Sequence, residues 1–69
     1  MSMFKEHEIF KLEKPIEGLP LQVGSRGTVL IVHGGRPAAY EVEFMEGIRT
    51  IAVVTLTEDF MQPHEAGCP

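Results

Sequence analysis

Gly24-Ser25-Arg26-Gly27-Thr28-Val29-Leu30-Ile31-Val32, residues 24 to 32, sets a glycine-bearing turn ahead of an unbroken run of β-branched and aliphatic residues. The glycines mark a reversal and the run marks a strand. His33-Gly34-Gly35-Arg36-Pro37 follows, and its two glycines and proline permit a second tight reversal. Tyr40-Glu41-Val42-Glu43-Phe44 then alternates apolar and acidic with period two, which puts Tyr40, Val42 and Phe44 on one face of a strand. Glu46-Gly47 turns the chain again into Ile48 to Leu56, another β-branched run. Gly24, Gly27, Gly34, Gly35 and Gly47 are thus the turn-forming residues, and three successive strands joined this way predict an antiparallel meander.

Working outward, Ile9, Phe10 and Leu12, set among Glu8, Lys11 and Glu13, read as a short strand. Pro15 to Leu21 holds two prolines and a glycine, so it is a loop leading into the Gly24 turn. After Leu56, Thr57-Glu58-Asp59-Phe60-Met61 places a cap residue ahead of two acids and two apolar anchors, as a single 3-10 turn would. Residues 63–69 read as a flexible tail, leaving 1–62 as one domain. Several short strands without a long helix predict an all-β class, a small barrel or sandwich that curls to limit its exposed edges.

A chain of 69 residues has room for one core and little room for a deep active-site cavity. Its 43% hydrophobic content is enough for collapse. Six Lys and Arg against ten Asp and Glu give a net charge of -4, which would repel a phosphate backbone, and the basic residues are scattered rather than clustered. A nucleic-acid partner is therefore disfavoured. Nothing approaches the roughly 20 apolar residues of a membrane helix, so no membrane association is expected. The single cysteine, Cys68, cannot close an intramolecular disulfide, and without a signal-peptide pattern the expected compartment is the cytoplasm.

Leu21-Gln22-Val23-Gly24-Ser25-Arg26-Gly27-Thr28-Val29, with Tyr40-Glu41-Val42-Glu43-Phe44 and Thr50-Ile51-Ala52 through Thr55-Leu56, resembles the bacterial family DUF4926 over roughly residues 8 to 62. The resemblance implies an SH3-like small open barrel of about five antiparallel strands, with a diverging turn before the second strand and no established biochemical activity. Gly27-Thr28-Val29, the Tyr40 to Phe44 segment and Glu58-Asp59-Phe60-Met61-Gln62-Pro63 are also similar, more loosely, to the SH3-like domain of nitrile hydratase β subunits. That likeness implies an accessory or structural subunit of a metalloenzyme, carrying no metal ligand itself.

Catalytic and metal-binding patterns are thin. His7, His33, His64 and Cys68 are zinc-type ligands at poor spacing, so neither a metal nor any other cofactor is expected. His33-Gly34-Gly35 resembles an esterase oxyanion loop, but there is no nucleophile elbow, and the only serines are Ser2 in the terminal tail and Ser25 in a turn. Gly24-Ser25-Arg26-Gly27 matches the Gly-x-x-Gly clamp of KH domains, yet a strand follows where that motif joins two helices. Glu41, Glu43 and Glu46 suit the wet face of an amphipathic strand, or an acidic patch for a basic partner. The expected function is not enzymatic.

The parity of the strands carries more weight. Leu30 and Val32 alternate with Val29 and Ile31, so one pair must point away from a one-sided core, and Ile51-Ala52-Val53-Val54 repeats the pattern. An outward apolar patch predicts self-association or docking on another protein, unless Phe4, Ile16 or Leu19 folds over it. The candidate interface residues are Leu30, Val32, Ile51 and Val53, with Tyr40 and Arg49 as rim or anchor residues. The expectation is a protein-binding module, homo-oligomeric or bound to a partner in an antitoxin-like or immunity-like way. A metalloenzyme accessory subunit and a nucleic-acid module are the alternatives.

Overall fold

The computed structural model describes residues 3 to 64. Strands β1 (Ile9–Leu12), β2 (Arg26–His33), β3 (Ala39–Glu46) and β4 (Arg49–Thr57) are followed by a 3-10 turn (Glu58–Phe60) and strand β5 (Met61–Pro63). They form one sheet in the order β4-β3-β2-β1-β5, antiparallel throughout. This is the all-β, open arrangement of five antiparallel strands expected from the sequence, with a 3-10 turn ahead of the last strand. Pro63, the first residue of the expected tail, belongs to β5 and pairs with Phe10 of β1. Residues 65 to 69 of the expected tail, with Cys68, lie outside the described residues, as does Ser2.

Facing residues on neighbouring strands line up in rows across the sheet. On the inner face Phe10, Gly27, Phe44 and Ala52 make one row, Val29, Val42 and Val54 a second, and Val32, Tyr40 and Leu56 a third. Phe10, Val29, Tyr40, Val42 and Phe44 are completely buried or nearly so. The alternation read in residues 40 to 44 therefore supplies the centre of the core.

Gly24, in the turn before β2, and Gly27, within β2 and not in the turn as expected, are glycine for different reasons. Gly24 has φ +95°, a left-handed conformation that a Cβ would strain, and its N–H donates to the Leu12 carbonyl at 2.8 Å. Gly27 is glycine for space. It stands in its row between Phe10 and Phe44, and an added Cβ would fall 2.7 Å from the Phe10 ring and 2.9 Å from that of Phe44. With nothing between them, the two rings pack edge to face at 5.6 Å.

The N-terminal segment and the first loop complete this core. Phe4 is buried with its ring edge-on to Tyr40 at 5.6 Å, and Ile16 and Leu21 pack against the same cluster. Phe4 and Ile16 are two of the three residues, with Leu19, expected as cover for an outward patch. They cover the inner face instead, so the patch outside gains no lid from them.

Candidate interaction surface

Two β-bulges decide which apolar residues reach the outside. In β2, Val29 faces Val42 and Ile31 faces Glu41, so Leu30 is the extra residue and has no partner across the strand pair. The bulge shifts parity by one. Val29 and Val32 both turn inward, three residues apart, while Ile31 points out and stays exposed. In β4, Phe44 faces Ala52 and Met45 faces Thr50, which makes Ile51 the extra residue there.

The expected interface residues thus separate. Val32 belongs to the inner face, because the bulge at Leu30 restores it to the core, and Leu30 itself is half-buried. Tyr40 is fully buried in the third inner row, so it is not a rim or anchor residue on the surface. Ile51 and Val53 are exposed, at 36% and 48%, and Arg49 is exposed at the start of β4. Ile31, a member of the other pair that the parity argument left open, is exposed on the outer face, and so is Ile9, which sequence reasoning did not name as an interface residue. Ile9, Thr28, Glu43 and Val53 form one row across it, and Ile31, Glu41 and Thr55 another. The available signal was four successive aliphatic residues, Val29 to Val32, which a regular one-sided strand does not accommodate and a bulge does.

Acidic groups cross the middle of this face. Glu43 accepts a hydrogen bond from the Thr50 hydroxyl at 2.7 Å, and His33 Nε2 lies 3.7 Å from Glu41 Oε1. Beyond them the sheet ends at β4, whose far side pairs with no other strand among the described residues. The nine-residue strand has no charge and no proline from Thr50 to Thr57. At its start, the β3–β4 hairpin and the loop before β2 enclose an open cleft of about 690 Å³, with Leu21, Phe44 and Ile51 as apolar lining and Arg26, Arg49 and Glu46 as its charges.

The other end of β4 is closed by polar contacts around the 3-10 turn. Tyr40 donates its hydroxyl to Glu58 Oε2 at 2.5 Å and accepts the Met3 N–H at 3.0 Å. Burial pushes the Tyr40 hydroxyl pKa up, and the bond to Glu58 acts in the same direction. That bond, with help from the Met3 N–H, holds the Glu58 carboxyl below the usual range. Asp59 is also lowered, first by the Thr57 hydroxyl and then by Lys14, whose Nζ is 2.9 Å away. Lys14 lies over the Phe60 ring as well, 5.2 Å from its centre.

Of the glycines expected to form turns, Gly24, Gly34, Gly35 and Gly47 lie in connections between strands, whereas Gly27 lies within β2, paired with Phe10 and Phe44. Gly34 and Gly35 occupy the β2–β3 connection, and Gly47 with Ile48 makes the two-residue loop between Glu46 and Arg49. Among the described residues, no three His, Cys, Asp or Glu side chains come together as a metal site would require, and no charged side chain is buried. No helix among them is long and apolar enough to cross a membrane. Comparison with protein-family models, with curated proteins and with solved structures finds no match to this chain.

Proposed function

We propose that this chain is a non-enzymatic protein-binding module of the cytoplasm that associates with a second copy of itself through the free edge and outer face of β4. The observation that carries this reading is the character of that edge. Monomeric proteins guard a long edge strand with lysine, proline, a strong twist or a covering loop, because its unpaired N–H and C=O groups are a template for another strand. β4 offers Thr50 to Thr57 with no charge or proline, and it exposes Ile51 and Val53 beside the edge. Pairing with another β4 would satisfy those backbone groups and remove both side chains from water.

Molar mass by light scattering over a concentration series, wild type beside Val53→Lys, tests the reading. Val53 points outward, so the lysine is tolerated by the fold while it interrupts the apolar edge. The expected result is a wild-type dimer and a folded monomeric variant. A wild type that stays monomeric at every concentration overturns self-association.

A further inference from the structure

The two ends of β4 carry opposite charge. At its start Arg49 shares the cleft with Arg26, and neither guanidinium is in an ion pair among the described residues. Glu46 also lines the cleft, so two cations face one carboxylate there and the local balance is positive on a chain whose total is -4. At its other end β4 runs directly into Glu58 and Asp59 of the 3-10 turn. Asp59 remains about half exposed although it pairs with Lys14.

Such a strand is complementary to itself run backwards. A two-fold axis that joins edge to edge pairs the strands antiparallel and sets the basic start of one against the acidic end of the other. With Val53 facing Val53 of a second copy, Arg49 stands opposite Thr57, the residue just before Glu58 and Asp59. With the axis at Val54, Arg49 stands opposite Asp59 itself. A parallel pairing in register would instead set Arg49 beside Arg49, with like charges adjacent.

On the basis of the self-association proposed above, we infer that the arginine cleft of each copy receives the acidic 3-10 turn of the other. β4 pairs antiparallel with β4 about an axis at Val53 or Val54, and Glu58 and Asp59 of one copy dock at Arg49 of its partner, the cleft arginine that lies on the paired edge. Arg26, two strands further in, adds to the positive balance of the cleft. The uncharged centre of the strand supplies contact area, and the charges at its ends select the register.

Sedimentation equilibrium of the full chain tests the register, using wild type, Arg49→Glu, Asp59→Arg and the double variant, each checked for folding by circular dichroism. Asp59→Asn is added because it removes the charge without placing a second cation beside Lys14. Each single charge reversal is expected to weaken the dimer by roughly tenfold or more, and the double variant to recover most of that loss, since both partners of the pair are exchanged. Raising salt from about 0.05 M to about 0.5 M is expected to weaken the wild type, because the Debye length shortens. A dimer indifferent to these substitutions, or single losses with no recovery in the double variant, overturns this register and leaves self-association standing. A monomeric wild type overturns both.

Discussion

The two edges of the sheet are built in opposite ways. β5 is three residues long and ends in Pro63, which has no N–H to offer an incoming strand. β4 is nine residues long, has neither proline nor charge from Thr50 to Thr57, and presents Ile51 and Val53 to solvent. One edge is protected by brevity and proline, while the other has the ordinary safeguards missing along most of its length. The difference teaches where an interaction belongs: an edge that leaves hydrogen-bonding groups and apolar side chains open together is suited to pairing, and one that withholds them is not.

The most severe way to break the contrast is to remove the support beneath the protected edge. Phe10 lies on β1, the strand that carries β5, and its ring contacts both Phe4 and Phe44. Phe10→Ala is expected to cost about 3–5 kcal/mol, comparable to the whole stability of a small domain. Circular dichroism should show an unfolded or barely folded chain at room temperature.

A sharper comparison sets the two sides of the β2 bulge against each other. Val32→Glu places a carboxylate against the core and is expected to cost about 2 kcal/mol, read as a lower urea midpoint. Ile31→Glu, one residue away but facing outward, should stay within about 0.5 kcal/mol of wild type. Equal losses at the two positions would mean that the bulge does not divide the faces at Leu30.

Smaller again is the effect of the Tyr40 hydroxyl, which ties the end of β4 to the N-terminal segment. Tyr40→Phe is expected to cost about 1 kcal/mol and to change the pH profile. The depressed Glu58 pKa contributes stability that is present above its unfolded value and lost as pH falls through the folded one. The raised Tyr40 pKa contributes stability that is present below its unfolded value of 10.0 and lost as pH rises beyond it. Thermal melts of the phenylalanine variant should lose part of the acid-side slope and the Tyr40 share of the alkaline one.

The least effect is expected where β5 is made more like β4. Pro63→Thr restores an N–H to the short edge, and the molar mass by light scattering should not rise above that of wild type, because three residues give too little edge to pair. A rise to larger assemblies would show that proline, and not brevity, is the guard.

Much of this architecture could be read from residue order. Alternation in Tyr40 to Phe44 predicted the central inner row residues, and the glycine and proline clusters placed the reversals. Thr57 to Met61 gave away the 3-10 turn, because two acids and two apolar anchors fit one turn. These are local signals, set by backbone conformations that neighbouring residues allow or forbid.

Only the folded chain settled which aliphatic residues of β2 and β4 face outward. A bulge arises from how two strands pair, so the extra residue at Leu30 or Ile51 cannot be located within either strand taken alone. The need for glycine at position 27 is of the same kind, since the rings that exclude a Cβ come from Phe10 and Phe44, brought beside it by strand pairing. Residue order determined the strands and their reversals because those depend on short-range sterics. Tertiary pairing decided faces, edges and the place of the arginine cleft, because each depends on which distant residues become neighbours.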